Sequence, residues 1–513
     1  MLTLFLVAAV TLVFNVQPAE AEPKTWTVDD DGPADFSSIQ EAINSPQVVN
    51  GDTIFVYNGT YHENIVVNKT ISLIGEEKDI TVIDGGSVSD SVTVKVIAEN
   101  VVLRGFTTKV SGFPSINILV NETANIVIAN NNIIGGGPFI GGVKVCESTN
   151  VTLTENNIRG SGFGFVISNS SYIFVSRNNI APPGEAYVST GIGILRSFYN
   201  VLTDNNLLNV NTGIVLSESS NNTITDNYIT GIQGTGIRIG RYPGENISSY
   251  NTFHNNTVKN CYYAILTGFF IGEGGHSNNV FLQNTVKNNH YGVFWANSSN
   301  NIFYFNNFIN NTIQVYNEEA VNVWDNAYPF GGNYWSDYNG TDLYNGPGQN
   351  EVGSDGIGDS PYVIDETNVD NYPLMGPFSS FNTSLNHFVD IVSNSTIEVF
   401  EFFESNSMIR IIVSSMTANQ TFGFCRLTIP HTLIAPPYNI TVNNNSVKYY
   451  TIFENETQSI IYFNYEHSTL EIIIMPEFPS GMLLLALLTL LTVTLIFAKK
   501  NAEKRASFQN PFF

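Results

Sequence analysis

Short apolar runs recur through the middle of the chain, each closed by asparagine. NIVIANNNI, NVTLTENNI, YIFVSRNNI, NVLTDNNLL, NTITDNYI, NTFHNNTV, NVFLQNTV and NIFYFNNF all contain Asn-x-apolar after a brief strand-like stretch. Aligned on that pattern, the asparagines are Asn131, Asn156, Asn178, Asn205, Asn227, Asn256, Asn284 and Asn306, spaced by 25, 22, 27, 22, 29, 28 and 22 residues. Second apolar runs lie between them: GGVKV, GFGFVI, GIGIL, TGIVL, TGIRI, YAIL and YGVFW. Runs this short, bounded by Asn and Gly, predict one coil of a parallel β-solenoid per repeat. One coil cannot bury its apolar face alone, so coils stack, ~4.8 Å apart. In-register asparagines then pass side-chain hydrogen bonds from coil to coil, so these eight are assigned to structure. A leucine-rich repeat would show Leu-x-x-Leu-x-Leu and helical segments, and neither is present.

The ends of the pattern are also marked. DFSSIQEAIN (35–44) predicts a short capping helix: Ser38-x-x-Glu41 is a capping box, and Ile39, Ala42 and Ile43 share one face. The repeats stop near Trp324. From about residue 379, STIEVFEFFE, SMIRIIVSS, GFCRLTIP, NITVNNNSVKYYTIF, SIIYFNYE and STLEIIIMP read as six or seven strands, with NNNS as a hairpin turn. They suggest a small β-sandwich. At the N-terminus, MLTLFLVAAVTLVFNVQPAEA reads as a signal peptide with a small-residue cleavage site. At the other end, GMLLLALLTLLTVTLIFA (481–498) is just long enough to span a bilayer, and the lysines after it predict a cytoplasmic tail. The expected organisation is signal peptide 1–21, β-helix with its N-terminal cap 22–330, acidic aromatic cap 331–378, β-sandwich stalk 379–475, and sorting signal, membrane anchor and tail 476–513.

Charge changes the picture in one respect. The net charge is −24, which argues against a nucleic-acid partner, whose phosphates need Lys and Arg. Three distant cysteines, Cys146, Cys261 and Cys425, make neither a disulfide framework nor a zinc spacing. Seventeen N-x-[ST] sequons agree with an exported chain.

Two constellations carry candidate chemistry. The residue before each ladder asparagine forms a second row: Asn130, Glu155, Arg177, Asp204, Asp226, Asn255, Gln283 and Phe305. Asp204 and Asp226 fall on adjacent coils, about the ~5 Å apart of a retaining glycosidase pair, and Arg177 could hold an acidic sugar. The competing reading is a solvated charge ladder. Eight carboxylates crowd between Asp337 and Asp370, while residues 288–409 contain no Lys or Arg. GSDGIGDSPYVID (353–365) lies among them. Crowded carboxylates beside packed tyrosines invite calcium, with Asp337, Asp342, Asp355, Asp359 and Asp365 as ligands. The competing reading is Asp and Gly as turn formers.

TWTVDDDGPADFSSIQEAINS, GDTIFVYNGTYHENIVVNKTISLIG and TVIDGG resemble the start of right-handed β-helix proteins of the pectin-lyase-like superfamily. The Asn-rich coils, with GGNYWSDYNGTD and DGIGDSPYVID, resemble the NosD-like periplasmic copper-binding family. MPEFPSG resembles a PEF-type sorting signal of archaeal surface proteins. The resemblance implies an all-β fold: a right-handed parallel β-helix (single-stranded solenoid) followed by a small β-sandwich. It also implies copper. The histidines His254, His276 and His290 lie one or two coils apart but at different positions within the coil, so copper rests on the resemblance alone. The resulting expectation is a monomeric extracellular protein held at the cell membrane, binding polysaccharide or envelope glycan or serving a structural role there. Polysaccharide hydrolase, lyase or epimerase chemistry and NosD-like metal handling are the alternatives.

Overall fold

The computed structural model describes residues 22–112, 114–181, 190–231, 233–240, 246–267, 275–466, 470–477 and 491–501. The expected signal peptide, and most of the apolar C-terminal run, lie outside them. Residues 491–501 are helical, and no helix among the described residues is long and apolar enough to cross a membrane. The chain divides into two compact units, residues 1–248 and 249–513.

In the first unit the coils stack in parallel. Ile128 pairs with Leu153, then Val175, Leu202 and Ile224 on successive coils, so the register advances by the sequence spacing. The next wall of each coil carries Asn132, Asn157, Asn179, Asn206 and Tyr228 in register. A third wall runs through Ile118, Val143, Phe165, Ile192, Ile214 and Ile237. Along each wall alternate side chains point inward, which is why the core is a column of fully buried Ile, Val and Leu. The helix Ile39–Asn44 forms as expected: the Ser38 side chain accepts from the Glu41 N–H, and Ile39, Ala42 and Ile43 are buried.

One bend repeats the same device on successive coils. A residue in the left-handed region is followed by an inward asparagine. Asn130, Glu155, Arg177, Asp204 and Asp226 have φ between 52° and 58°. The asparagine after each is buried and bonds to the next coil. Asn205 Oδ1 accepts from Asn178 N–H (3.1 Å) and Nδ2 (2.9 Å), while Asn205 Nδ2 donates to Val175 O (2.8 Å) and Asn227 Oδ1 (2.9 Å). A second ladder is made of serine: Ser148, Ser170 and Ser197 each donate a backbone N–H to the next serine hydroxyl, at 3.1–3.2 Å.

The second unit repeats the device. Asn256, Asn284, Asn306 and Asn333 form a ladder of the same geometry, and Asn333 lies on the same coil as Trp324. Phe253, Phe281, Phe303 and Trp324 stack inside it at centroid distances of 4.5, 4.5 and 4.4 Å. Two five-stranded antiparallel sheets follow. Their inner faces meet over Ile391, Leu427 and Phe463 from one and Ile411, Ile440 and Ile472 from the other. The ten strands exceed the six or seven expected because FSSFN and FVDIVS, whose alternation is broken by polar residues, also pair, and because NITVNNNSVKYYTIF folds as three strands. Asn443 and Asn444 supply the two left-handed positions of the NNNS hairpin turn.

Asn205→Ala strips a buried N–H and a buried C=O of their partners, at about 1–3 kcal/mol each. Asp204→Asn, one residue earlier, leaves a residue type that favours the left-handed region. Urea denaturation is expected to show a loss of about 2–5 kcal/mol for the first and a change within about 0.5 kcal/mol for the second. Equal losses would contradict the division between inward and outward bend residues.

Candidate functional site

Asp204, Asp226 and Arg177 occupy the outward, left-handed position of one bend and are exposed. Thr203 pairs with Thr225, so the two carboxylates lie on consecutive coils. Each accepts from the threonine before it: Thr203 Oγ1 to Asp204 at 2.9 Å, and Thr225 Oγ1 to Asp226 at 2.7 Å. Arg177 turns the other way and pairs with Glu155 of the preceding coil at 3.1 Å, both side chains being about half exposed.

The acidic segment is organised by N–H donors. Asp342 accepts from the backbone N–H groups of Asp355 and Gly356, both at 2.9 Å. Asp355 accepts from Ile357 N–H, and Asp359 from Leu343 and Tyr344 N–H. Asp365 accepts from Thr367 and Asn368 N–H. Asp337 accepts from the Tyr362 hydroxyl and Gln314 Nε2. Among the described residues, the one group of three His, Cys, Asp or Glu side chains with ligand atoms within 4.8 Å of one another is Asp29, Asp30 and Asp31. The five carboxylates named for calcium are therefore not gathered around one point.

Two buried charges organise this segment. Asp370 is fully buried and stands where the next ladder asparagine would be. It accepts from Asn333 N–H (2.8 Å), Trp335 Nε1 (2.8 Å) and Tyr372 N–H (3.1 Å). Asn368 ends a neighbouring ladder by accepting from Asn322 N–H at 3.0 Å. Burial outweighs the N–H donors and pushes the Asp370 carboxyl up to about 7; it does the same to Asp342. The cation missing from 288–409 comes from further along the chain. Arg426 is buried on its β-strand, donates to the Asp355 backbone carbonyl at 2.6 Å and to the Pro329 carbonyl, and opposes the upward push of burial on the Asp355 carboxyl. Its separation of 71 residues from Asp355 hides it from any local reading.

A different feature faces outward on the third wall of the second unit. Tyr263 pairs with Tyr291, and Phe294 with Tyr316, on successive coils. Their rings stack at 5.2 Å and 4.5 Å. Tyr262 stacks on His290 at 4.7 Å with 29° between the ring planes, and Tyr291 and Phe294 meet edge to face at 5.5 Å. Tyr262 and Tyr316 are 45% and 40% exposed. Burial and the neighbouring phenols raise the Tyr263 hydroxyl above its ordinary pKa, so it stays a neutral donor. The result is a platform of two stacked ring columns that meet edge to face, with tyrosine hydroxyls among them.

Parts of the coiled region are similar to known proteins. Residues 46–238 match the family of the periplasmic copper-binding protein NosD. Residues 185–313 match the right-handed β-helix region. A cell surface glycoprotein of Methanothermus fervidus is 32% identical over 156 residues, and the match spans 25% of each chain. Among solved structures, an exopolygalacturonase of Yersinia enterocolitica aligns over 59% of this chain and 78% of its own, at 14% identity and a TM-score of 0.38. PfbA, a surface adhesin of Streptococcus pneumoniae, aligns over 53% and 82%, at 11% identity and a TM-score of 0.36.

The NosD match raises copper, which needs clustered soft or imidazole ligands. Among the described residues the histidines are dispersed. His254 bonds Gln283, His290 lies in the aromatic platform, and His276 is buried. The Asp29–Asp31 group contains neither His nor Cys. Among the described residues, no group of three His, Cys, Asp or Glu side chains that includes a His or Cys is thus gathered for copper. The sequence reading missed the platform, although its signal was present: YAIL and YGVFW begin with the two tyrosines that stack.

Asp370 and Asp342 both have folded pKa values above the unfolded value of about 3.9, so the folded state binds more protons. Their contribution is fully present below pH ~4 and is lost as pH rises toward ~7. The melting temperature is expected to fall between pH 5 and pH 8, and Asp370→Asn, which keeps an acceptor for Asn333 without the charge, is expected to flatten part of that fall. An unchanged slope in the variant would place the titration elsewhere.

Proposed function

We propose that this chain is a surface protein of the cell envelope that binds a glycan chain across the aromatic platform of its second unit. The observation that carries the reading is the stacked pair of ring columns, Tyr263–Tyr291 and Phe294–Tyr316, with Tyr262 on their exposed rim. Sugar rings present C–H faces that pack on aromatic faces, and their hydroxyls find phenol donors at the rim. Coils repeat along the stack, so a linear polymer meets the same chemistry more than once. The cell-surface location is supported by the similarity to a surface glycoprotein. Membrane attachment is supported by residues 491–501, whose Leu491, Val493, Leu495, Ile496 and Phe497 are 48–64% exposed and are followed by Lys499 and Lys500.

Affinity electrophoresis of the full chain through gels containing neutral or acidic polysaccharides tests this. Retardation by at least one polymer is expected. The double variant Tyr262→Ala, Tyr316→Ala should weaken binding about tenfold, since two ring contacts at about 0.5–1.5 kcal/mol each are removed. Phenylalanine at both positions should restore most of it. Unchanged binding in the alanine variant, or no retardation by any polymer, would sink the reading. Reducing-end or unsaturated products released from a retarded polymer would favour the enzymatic alternative.

A further inference from the structure

The chain holds two populations of asparagine that do not overlap. Among the described residues nineteen asparagines are buried, most of them in the ladders, and none stands in an N-x-[ST] sequon. Of the seventeen sequon asparagines, fourteen are exposed and the other three, Asn121, Asn394 and Asn439, are half-buried. The separation has a geometric cause. Side chains along a strand alternate with period two, and a sequon also spans two residues. Two positions beyond the ladder asparagines Asn131, Asn156, Asn205, Asn222, Asn256 and Asn306 the chain points inward again and carries Ile, Leu, Val or Phe. Two positions beyond an outward bend residue it points outward, where Thr or Ser is accommodated.

The bends use this spacing directly. Asn150, Asn169, Asn221, Asn255, Asn297 and Asn310 all occupy the left-handed bend position, with φ between 48° and 59°, and all are exposed. In Asn221-Asn222-Thr223 and Asn255-Asn256-Thr257 the middle residue is a buried ladder asparagine and the threonine begins the next wall facing out. One tripeptide serves the bend, the ladder and the sequon together. No sequon asparagine lies in the platform strands Tyr263–Thr267, Tyr291–Ala296 and Ile313–Glu318.

We propose that these six bend asparagines carry N-linked glycans, and that the wall bearing the aromatic platform stays bare between them. In the transfer, the side-chain Nδ2 attacks the anomeric carbon of a lipid-linked sugar phosphate supplied by the host. The C1–N bond forms, the C1–O bond to phosphate breaks, the lipid phosphate leaves, and Nδ2 loses one proton. The second Nδ2 hydrogen remains, so Asn150 can keep its bond to Asn125 Oδ1, at 2.6 Å. Asn394 is the internal contrast. Its amide is used on both sides, accepting from Phe424 N–H at 3.0 Å and donating to Phe422 O at 3.3 Å, and it stays unmodified.

The experiment is glycopeptide mass mapping of the full chain recovered from the envelope of an archaeal host that N-glycosylates its own surface proteins. Sugar is expected at the six bend sites and absent at Asn394. The variants Thr223→Val and Thr257→Val keep each bend asparagine and each ladder asparagine but destroy the sequon. They should abolish the glycan at Asn221 and Asn255 respectively, with secretion unchanged. Bare peptides at all six bends, beside occupied sequons on the host's own proteins, would overturn the proposal. So would glycan persisting in the threonine variants, or occupancy at Asn394 equal to the bends. None of these outcomes depends on polysaccharide binding by the tyrosines, so the two proposals fail separately.

Discussion

Everything in the coiled part of this chain depends on how a bend satisfies its backbone. Each turn between walls needs a residue in the left-handed region, which costs a non-glycine residue roughly 1–2 kcal/mol. The following N–H then points along the stack, toward the next coil, rather than sideways into a sheet. Left unpaired inside the core it would cost about as much again. The protein answers with an inward Asn or Ser whose side chain takes that N–H from the coil before it. Because Asn carries both a donor and two acceptor lone pairs, one residue type serves every rung, and the ladder extends as long as the coils do.

A ladder of this kind must end, and its last rung needs an acceptor with no successor. In the second unit that acceptor is Asp370, whose carboxylate takes the N–H of Asn333 and of Trp335 at once. A carboxylate has more acceptor capacity than an amide and no N–H left over to satisfy. The cost is a buried anion, which accounts for its upward-shifted pKa. Arg426 addresses the neighbouring carboxylates, reaching in from a sheet that begins its own hydrophobic core elsewhere. Its guanidinium binds backbone carbonyls rather than a carboxylate, so it fixes the course of the chain around Pro329 and Asp355 as well as balancing charge.

Much of this was legible in the sequence because the determinants are local and periodic. The spacing of Asn131 to Asn306 gave the register coil by coil, and the Ser38 capping box and the NNNS turn each act within a few residues. The row beginning Asn130 was visible as a row, but its side chains alone do not reveal that it is the left-handed position of a bend. Only the backbone angles do. Aspartate and arginine there read as chemistry, when the common property of Asn130, Glu155, Arg177, Asp204 and Asp226 is a conformation. Arg426 and Asp370 were illegible as partners of the ladder end because their roles are set by contacts across tens of residues. The tyrosine columns were hidden differently: Tyr263 and Tyr291 become neighbours only once the coil register is known.

The division of labour between bends and walls bears on where recognition can arise. A bend residue is committed twice, by its φ and by the inward residue that must follow it, so its freedom to vary lies in the outward side chain alone. A wall residue pairs through its backbone whatever its side chain, and has a neighbour directly above and below it. Rings placed there stack into a continuous surface, as Phe294 and Tyr316 do at 4.5 Å. Large features such as a polymer-binding face therefore accumulate on walls, where one substitution per coil extends them. Features that need isolation and exposure, such as an attached sugar, fit the bends. The period of two that builds the strand also decides which of these a given asparagine can become.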